Sequence, residues 1–523
     1  MLCSIILCFS IITLTKTCFA QGTGFIYIRI DGSIDPPTAP ISTIDNVTYT
    51  LTDDIINASI MIERDDVSID GANHSVQGPG LGSGIALSGR NNVTIKNFEI
   101  RDFYRGFYAV NSQNNSIIRN NITNNAYGIF LGGSGNIIIE NSFTNDGLFV
   151  YYSYAGAPVN IVHNNTVNGK PLIYLENVSG YEVADAGQVI LVGCSNITVE
   201  NLDTYNSTVG VELYRTNNSQ VMNNNIMSNS QYGICLFESS NNNDVSANSI
   251  TGSDVGIYSD SSSYNRISAN GVSNSTRYGI FASLSSHSNF IGNRIEINGD
   301  YGIYLANSYF ANVTENNVTG NIKGGIFLGF SHDNYVFGNN LTSNAVGISL
   351  KDTCRYNTIS ENNVENNGIG VNLHNSPSNN IIANNVADSN YGISILESSD
   401  NRIYYNNFVN NTNQVYDYSW NNTGYVQSIN IWDFFYPSYP SGGNYWSNYN
   451  GTDLHSGSYQ NETGSDGLGD TPYIIDANNT DHYPLMVQYV IPEFPTFLVL
   501  SLFMIATLLA IVVYKRRILS RAL

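Results

Sequence analysis

The sequence predicts an all-β protein: a right-handed, single-stranded parallel β-helix with coils of 22–23 residues, followed by a C-terminal transmembrane helix. A glycine followed by Ile or Val recurs every 22 or 23 residues from Gly210 to Gly392. Within the unit Gly302–Gly324 the apolar residues fall in three short alternating runs, which predict three strands. Strands this short bury one face only if each unit stacks on the next at ~4.8 Å, and such stacking makes a β-helix.

A column of asparagines supports this register. Its members lie fourteen residues after the glycine of their coil, at Asn270, Asn293, Asn316, Asn339, Asn384 and Asn406. Asparagine tolerates left-handed backbone angles, and its amide can bond to the same amide one coil away. We therefore expect an asparagine ladder with a structural role at this turn.

The repeat also divides the chain into regions. Between Gly147 and Gly187 the spacing breaks, and Tyr151–Tyr154 and Asn168-Gly169 occupy a segment that we expect to leave the rod as a loop. A β-helix needs its open ends covered, so we interpret the flanking non-repetitive segments as caps. The predicted regions are an N-terminal cap (21–80), β-helix repeats (81–415) with an excursion near 148–186, and a C-terminal cap (416–490).

Both ends of the sequence carry segments typical of an exported, membrane-anchored protein. Residues 1–20 contain an apolar stretch that ends in Cys18-Phe19-Ala20, a small-x-small pattern suited to signal-peptide cleavage. Thr496–Tyr514 is uncharged and long enough to span a bilayer, and Lys515-Arg516-Arg517 follows it. We expect residues 491–523 to form a membrane anchor or sorting signal, with the body on the extracellular face of the membrane.

Composition indicates which partners and covalent modifications to expect. The formal net charge of −21 repels phosphate backbones, so nucleic acid is not an expected partner. Outside the signal peptide the cysteines Cys194, Cys235 and Cys354 lie in distant coils, so no disulfide framework is indicated. Sequons such as those at Asn312 and Asn340 are abundant, and with export they predict glycosylation of exposed turns.

The coils resemble a known family. Tyr232, Tyr278, Tyr301 and Tyr391 each begin a Tyr-Gly-Ile sequence, followed downstream by Asn-Asn-x-[Ile/Val/Leu/Phe]. Over about residues 84–412 this pattern resembles the NosD-like right-handed parallel β-helix family, also called carbohydrate-binding and sugar-hydrolase repeats. The resemblance implies either assistance with copper insertion, as in the founding members, or binding or cleavage of polysaccharides. Fold alone does not choose among these.

The C-terminal region resembles archaeal surface members of that family. The shared segments are Gly443–Ser447, Asp466–Tyr473 and Asp481–Leu485. Ile491-Pro492-Glu493-Phe494-Pro495, followed by an apolar stretch and a basic cluster, is similar to the Pro-Glu-Phe sorting signal of archaeal surface proteins. In that family a membrane transpeptidase removes the helix and attaches the protein to lipid, so the resemblance implies either a single-pass or a lipid-processed anchor.

Carboxylates on neighbouring coils are the candidate catalytic residues. Glu365 and Asp388 lie one coil apart at nearly equal phase, near the ~5 Å separation that a retaining glycosidase uses. Glu238 and Asp260 form a second such pair. Neither pair has an Arg, Lys or His beside it at matching phase, so non-catalytic function is favoured over catalysis.

Metal sites are less well supported. His287 and His332 share nearly the same phase but lie two coils apart, roughly 9–10 Å, so they do not share a copper ion directly. Asp466 and Asp470 flank a flexible turn with hard oxygen ligands, which makes them candidate Ca²⁺ ligands. A plain glycine turn is the alternative interpretation of that segment.

An aromatic column is the candidate ligand-binding feature. Tyr258, Phe281, Tyr304 and Phe327 sit two residues after the glycine in four successive coils, on the face opposite the inward Ile and Leu. Sugars stack on aromatic faces, but aromatic ladders also stabilise β-helices, and both interpretations stay open. The sequence thus favours a non-catalytic cell-surface protein: an envelope component, adhesin or glycan-binding module whose partner is a surface polysaccharide. A polysaccharide hydrolase or lyase and a NosD-like copper-binding accessory protein are the alternatives.

Overall fold

The computed structural model describes residues 24–151, 159–417, 428–435, 440–457 and 459–491. These residues form strands, turns and loops, and no helix occurs among them. The strands wind into a right-handed parallel β-solenoid of about 16 turns, which confirms the predicted fold class for the body of the chain. No helix within the described ranges is long and apolar enough to cross a membrane. The predicted signal peptide and transmembrane helix lie outside the described residues.

The chain builds two stacks of coils, which we call the N-stack and the C-stack. The N-stack strands are β1 (Gly24–Ile28), β2 (Ile34–Asp35), β3 (Ile41–Thr43), β4 (Thr48–Leu51), β5 (Ile55–Ile56), β6 (Ala58–Ile62), β7 (Ser68–Asp70), β8 (Ser75–Gln77), β9 (Ser83–Ala86), β10 (Thr94–Lys96), β11 (Glu99–Arg101), β12 (Arg105–Val110), β13 (Ser116–Ile118), β14 (Asn121–Thr123), β15 (Tyr127–Gly132), β16 (Ile137–Ile139), β17 (Ser142–Thr144), β18 (Leu148–Val150), β19 (Ile161–His163) and β20 (Thr166–Val167).

Three sheets line the N-stack. Their strand orders are β2-β1-β6-β9-β12-β15-β18 (sheet N1), β3-β4-β7-β10-β13-β16-β19 (sheet N2) and β5-β8-β11-β14-β17-β20 (sheet N3). Parallel stacking already begins at β1, which pairs with β6, so the first coils lie inside the segment predicted as a separate cap over residues 21–80. These coils bury alternating residues such as Ile26 and Ile28 but lack the regular glycine spacing that marks the later units. At the outer edge of the stack, β2 pairs antiparallel with β1, and β3 pairs antiparallel with β4.

The C-stack carries the regular repeats. Its strands are β21 (Lys170–Glu176), β22 (Ser179–Val183), β23 (Gln188–Val192), β24 (Ser195–Glu200), β25 (Asp203–Tyr205), β26 (Val209–Tyr214), β27 (Gln220–Met222), β28 (Asn225–Met227), β29 (Tyr232–Phe237), β30 (Asp244–Ser246), β31 (Ser249–Thr251), β32 (Val255–Asp260), β33 (Arg266–Ser268), β34 (Gly271–Ser273), β35 (Tyr278–Ser283), β36 (Asn289–Ile291), β37 (Arg294–Glu296), β38 (Tyr301–Ala306), β39 (Asn312–Thr314), β40 (Asn317–Thr319), β41 (Gly324–Gly329), β42 (Tyr335–Phe337), β43 (Asn340–Thr342), β44 (Val346–Lys351), β45 (Thr358–Ser360), β46 (Asn363–Glu365), β47 (Ile369–His374), β48 (Asn380–Ile382), β49 (Asn385–Ala387), β50 (Tyr391–Leu396), β51 (Arg402–Tyr404), β52 (Asn407–Val409) and β53 (Asn413–Asp417).

Sheet C1 of this stack begins at β21 and β23 and adds one strand per coil from β26 to β53, sheet C2 runs from β22 to β51, and sheet C3 from β25 to β52. The remaining short strands are β54 (Phe434–Phe435), β55 (Pro440–Gly442), β56 (Tyr445–Trp446), β57 (His455–Ser456), β58 (Glu462–Thr463), β59 (Tyr473–Ile474) and β60 (Thr480–Asp481). Of these, β56 adds to sheet C3. Trp432 and Trp446 are buried against the last coil, where Trp446 stacks on Phe408 with ring centroids 4.7 Å apart. This segment therefore lies over the end of the second core.

The break in the repeat is a junction between the stacks rather than a loop leaving the rod. β20 and β21 pair antiparallel around Asn168 and Gly169, whose φ angles of 50° and 81° fit the tight hairpin turn that Asn-Gly favours. Sheet N3 therefore continues into sheet C1 with its strand direction reversed. The rest of the predicted excursion forms β18 to β22, and Tyr152–Tyr154 lie outside the described residues.

Reversal of the strands moves the core to the other face of the shared sheet. Coils continue to stack in the same direction along the rod, but the C-stack strands run opposite to those of the N-stack. A C-stack coil is therefore right-handed only if its interior lies on the other face of the shared sheet. On β23, Ile190 and Val192 accordingly belong to the N-stack core, whereas Val189 and Leu191 belong to the C-stack core. Strands β23 and β26 of sheet C1 are buried on both faces and cover the open end of the N-stack.

Side chains of the C-stack close the backbone edge of β18. The Leu148 N–H donates to Gln188 Oε1 at 3.0 Å, and Gln188 Nε2 donates to the Leu148 carbonyl at 2.7 Å. The Val150 N–H donates to both carboxyl oxygens of Glu212 at 3.3 Å. Glu212 has no exposed surface, and burial raises its pKa well above the ordinary value. We call these contacts the seam; they occupy the positions that the next coil's backbone would fill.

Amide ladders run along the turns of both stacks. In the predicted column, Asn316 donates from N and from Nδ2 to Asn339 Oδ1, each at 2.9 Å, and from Nδ2 to the Phe290 carbonyl at 2.9 Å. Each buried asparagine thus joins three coils, which confirms the predicted structural ladder. Further ladders, which the sequence did not predict, are Asn334–Asn357–Asn379–Asn401, Asn298–Asn321–Asn344–Asn367, Asn115–Asn136–Asn160 and Asn120–Asn141–Asn165.

Asp146 ends one ladder, and this generates a pH prediction. Asn125 donates to Asp146 Oδ2 from N and Nδ2, while the buried Oδ1 has no partner among the described residues, and burial raises the pKa to about 8 from 3.8. The native state thus holds a proton that the unfolded chain releases, so the free energy of unfolding falls as pH rises from 3.8 to about 8. Asp146→Asn should stabilise the protein by about 1–3 kcal/mol at pH 7, and less near pH 4, measured by denaturant unfolding. The exposed control Asp185→Asn should leave the pH profile unchanged; an unchanged profile in Asp146→Asn would contradict the assignment.

Coil stacking generates a second prediction. Deleting Gly279–Tyr301 removes one register unit, so Tyr258 and Tyr304 become neighbours and every ladder stays in phase. We expect retained cooperative unfolding and a rod shorter by ~4.8 Å in small-angle scattering. Deleting 279–290 removes half a unit and should unfold the C-stack, because inward and outward positions no longer match. Equal tolerance of both deletions would refute the coil register.

Candidate functional site

The predicted aromatic column lies in register on the outer face of sheet C1. Ring centroids are 5.3 Å apart for Tyr258 and Phe281, 5.1 Å for Phe281 and Tyr304, and 4.4 Å for Tyr304 and Phe327. The rings are nearly parallel, with interplanar angles of 6°, 18° and 21°. Neighbouring rings therefore cover each other's faces, so the middle rings do not offer open stacking surfaces.

This geometry supports a packing role for the column itself. Phe327 is 6% exposed, and the other three rings are only partly exposed. Stacked aromatic pairs contribute stability beyond the area that they bury. A sugar is therefore expected to contact the rim of the column, not to insert between its rings.

A second row of tyrosines provides that rim. Tyr278 packs on Phe281 at 5.1 Å with a 45° tilt, and Tyr301 packs on Tyr304 at 5.5 Å with a 68° tilt. Burial raises the pKa of both rim tyrosines, and it raises the pKa of Tyr304 to about 12. Their hydroxyl groups therefore stay protonated near neutral pH and are able to donate hydrogen bonds.

Alternating charges flank the rim. Arg277 binds Asp254 through two bonds of 2.9 Å from Nε and a further contact from Nη2, and Lys323 Nζ lies 2.7 Å from Asp300. Each pair joins adjacent coils. Negative and positive side chains alternate from coil to coil beside the rim, so no two like charges are neighbours on adjacent coils.

The aromatic column of sheet C1 continues onto the N-stack. On sheet N1, Tyr108, Phe130 and Phe149 lie in register on the outer face, with centroids 5.8 and 5.3 Å apart. Phe237 connects this row to the C-stack column: its ring is 5.8 Å from Phe149 and 5.2 Å from Tyr258. The continuous line, which we call the aromatic track, consists of Tyr108, Phe130, Phe149, Phe237, Tyr258, Phe281, Tyr304 and Phe327.

The sequence held part of the signal for the N-stack half of the track. Tyr108, Phe130 and Phe149 each follow a glycine by two residues, the same position as in the predicted column. What periodicity could not show is that the seam brings sheet N1 beside sheet C1. Phe237 occupies a different position in its coil, so no repeat pattern marks it.

The carboxylates Glu238 and Asp260 lie where the two halves of the track meet. Asp260 pairs in register with Phe237, and Glu238 follows in a left-handed conformation with its N–H donating to the Asp260 carbonyl at 3.2 Å. Burial, and then the charge of Glu238, raise the pKa of Asp260. Burial and the same two carboxylates raise the pKa of Tyr151, so the three groups form one cluster beside the track.

Like Glu238 and Asp260, the other predicted catalytic pair is one residue out of register. Glu365 lies beside Ala387, while Asp388 follows in a left-handed turn conformation with φ 50°. Glu365 accepts a hydrogen bond from Asn385 Nδ2 at 3.1 Å. The offset is one residue, and in a strand one residue is enough to change which side chain faces the neighbouring coil. The sequence estimate of phase was therefore too coarse for this pair.

The predicted calcium ligands are engaged by their own loop. Asp470 accepts from the backbone N–H groups of Leu454 and His455 at 2.8 and 3.0 Å. Asp466 accepts from Leu468 N–H at 3.1 Å and from Gln460 Nε2 at 2.8 Å. Within the described ranges, no group of three or more His, Cys, Asp or Glu is placed to hold a metal ion.

The two histidines weighed as copper ligands occupy different columns. His287 stacks between Tyr264 and Phe310, with centroids 4.7 and 5.0 Å away. His332 stacks on Tyr309, and its Nδ1 accepts the Arg355 N–H at 3.2 Å. Both rings therefore serve as rungs of stacked ladders in this structure.

A cleft of about 440 Å³ opens on the other side of the junction. It lies between β19, β20 and the beginning of the C-stack, and its lining includes His163, Thr166, Tyr174 and Tyr181. Apart from His163 and the two tyrosines, no titratable side chain among the described residues lines it. The cleft thus has no carboxylate pair for acid–base chemistry.

Comparisons with known proteins agree with the fold. Residues 271–451 match the family model described as periplasmic copper-binding protein (NosD), and residues 42–186 and 111–270 match that described as right handed beta helix region. These matches confirm the resemblance predicted from the coil motifs. No curated protein sequence matches the chain.

Several solved structures resemble the chain at low identity. The mannuronan C-5 epimerase AlgE4 A-module of Azotobacter vinelandii matches with 13% identity and a TM-score of 0.33, covering 69% of this chain and 90% of that chain. The periplasmic alginate epimerase AlgG matches with 14% identity and a TM-score of 0.34, covering 76% and 84%. DFA-IIIase from Arthrobacter chlorophenolicus A6 matches with 13% identity and a TM-score of 0.32, covering 55% and 83%.

The packing role of the column generates a prediction. Phe327→Ser removes a ring that is 6% exposed and stacked on Tyr304, so the free energy of unfolding should fall by about 2–4 kcal/mol in denaturant titrations. The control Tyr335→Ser changes an outward ring on sheet C2 that is 38% exposed, and it should change stability by less than about 1 kcal/mol. Equal effects would show that the column does not contribute to packing.

Proposed function

We propose that this chain, whose coils match the NosD and right-handed β-helix family models, is a non-catalytic cell-surface protein that binds an extended polysaccharide along the aromatic track. One observation carries the proposal: partly exposed aromatic rows from two separately wound stacks lie in one line, joined by Phe149 and Phe237, which are 3% and 7% exposed and pack in the core between the stacks. Burial between the stacks accounts for Phe149 and Phe237, but it does not require partly exposed rings on either side, such as Phe130 and Tyr258, to fall on the same line. The alignment of both rows across the junction supports recognition of one long ligand.

The track has the spacing and chemistry that a glycan needs. Consecutive rings lie 4.4–5.8 Å apart, close to the ~5 Å length of one sugar residue. The rim tyrosines, which are tilted against the column, offer aromatic surface to the apolar sides of sugars, while tyrosine hydroxyls and the flanking ion pairs exchange hydrogen bonds with sugar hydroxyls. Such a surface binds through many weak contacts, so affinity should rise with the length of the glycan.

Cleavage of the bound polysaccharide is a second candidate function, because Asp260 and Glu238 lie beside the centre of the track. A carboxyl group with a raised pKa next to a second carboxylate is the arrangement that general acid catalysis uses. Asp260→Asn separates the two functions: it should abolish any cleavage while binding persists. If the unmodified protein does not cleave the polysaccharide on incubation, the cleavage function is rejected and the non-catalytic binding function remains.

The cellular location is also part of the proposal. Residues 1–20 have the pattern of a signal peptide, and Thr496–Tyr514 with the basic cluster after it has the pattern of a C-terminal anchor. We infer that the solenoid is exported and held at the outer face of the membrane. A rigid rod would then present the track away from the cell.

Glycan binding predicts that the rim matters more than the column for affinity. The double substitution Tyr278→Ser and Tyr301→Ser should weaken binding to a glycan panel by about tenfold or more, since two aromatic contacts are lost. Thermal stability should change little, because both rings are only partly buried. Tyr335→Ser on sheet C2 is the matched control. If the double variant bound every glycan as the unmodified protein does, the track would not be the binding surface.

The anchor predicts a simple truncation result. A chain that ends before Pro492 lacks the only long apolar stretch of the mature sequence, so it should be secreted in soluble form. Fractionation of expressing cells measures this directly, with the full chain as control. Retention of the truncated chain in the membrane fraction would contradict the proposed anchor.

A further inference from the structure

Arg105 stands at the N-stack end of the aromatic track. Its guanidinium carbon lies 4.9 Å from the ring centroid of Tyr104, 4.9 Å from that of Tyr108 and 5.4 Å from that of Phe130. Two of these rings, Tyr108 and Phe130, belong to the track itself. Three cation–π contacts hold the charged group in one place beside the first rings.

No carboxylate neutralises this guanidinium. Through the part of the chain that the structure describes, the Arg105 side chain makes no ion pair or hydrogen bond, and its buried Nε has no acceptor. Two acidic side chains are not described by the structure, those of Asp417 and Glu493. By contrast, Arg277 and Lys323 beside the C-stack half of the track are both paired with aspartates.

We propose that Arg105 binds a carboxylate group of the polysaccharide, so that the track selects a polyuronate, a glycan whose sugar units carry carboxyl groups. The inference rests on the proposed function, because it assigns the ligand class of the same track. A guanidinium forms two parallel hydrogen bonds to a carboxylate, and a ring-stacked guanidinium is already oriented to do so. Tyr104, which is 38% exposed, offers an apolar edge to the same sugar.

The overall negative charge of the protein opposes binding of an acidic polymer, so a preference for one would point to a local cation. With a net charge of −21, the chain as a whole repels an acidic polymer. Any preference for a polyuronate over its neutral counterpart must therefore arise from a local cation. Arg105 contacts two rings of the track and has no ion-pair partner in the part of the chain that the structure describes.

The test compares a soluble polyuronate with the same polymer after reduction of its carboxyl groups to hydroxymethyl groups. Binding is measured by titration calorimetry on the unmodified protein and on Arg105→Gln, Arg105→Lys and Arg101→Gln. Arg101 ends β11 in an exposed position and is the matched control. The unmodified protein should prefer the polyuronate by about tenfold to a hundredfold at low salt, the strength of a charge-assisted pair, and less at high salt.

Arg105→Gln should remove that preference while binding of the reduced polymer persists, Arg105→Lys should keep part of it, and Arg101→Gln should keep all of it. Equal binding of both polymers by the unmodified protein overturns the inference and leaves the proposed function standing, whatever the variants do. A preference that survives in Arg105→Gln also overturns it. If neither these polymers nor a neutral glycan panel binds, the proposed function fails as well.

Discussion

Every strand of a β-solenoid leaves one backbone edge whose hydrogen bonds the next coil ordinarily satisfies, and this requirement shapes the whole molecule. Within each stack the following coil meets it, and the amide ladders reinforce the same contacts at the turns. At the N-stack start, β2 and β3 meet it by pairing antiparallel. At the end of the C-stack, Asp481 accepts the N–H groups of Asn444 and the Trp446 indole at 2.7 and 2.8 Å. Irregular segments therefore occur where a coil has no successor.

The junction meets the requirement in a different way, and the functional surface depends on it. The Asn168-Gly169 hairpin reverses the strands, so the C-stack winds on the opposite face of the shared sheet and covers the N-stack end. Gln188 and Glu212 then replace the missing backbone partners of β18. The same arrangement sets Phe149 of the N-stack beside Phe237 of the C-stack. Without the seam, the two aromatic rows would be separate.

Much of the fold was predictable because stacking imposes a period. The glycine and asparagine spacing predicted the coils, their length and one amide ladder, since inward and turn positions must recur in phase. The first coils were missed because their strands keep the alternation without the spacing. The junction was interpreted as a loop, because Asn-Gly marks a reversal of the chain but does not show which sheet the reversed strand joins.

The site was predictable only in part. The column from Tyr258 to Phe327 follows the period, whereas its continuation through Phe149 depends on how two stacks pack, which leaves no trace in the spacing. Phase estimates also failed at single-residue precision. Glu365 and Asp388 seemed aligned in sequence, but the register sets Ala387 beside Glu365. Such offsets matter because chemistry depends on which side chains share a face.

The central claim is that C-stack side chains close the edge of the N-stack at β18, and amide hydrogen exchange tests it most directly. The Leu148 and Val150 amides donate to Gln188 and Glu212, so we predict that they exchange as slowly as the Ile129 amide one coil earlier, within about tenfold. Exchange of Leu148 and Val150 at the rate of unprotected amides, with Ile129 still protected, would show that the stacks do not meet at this seam.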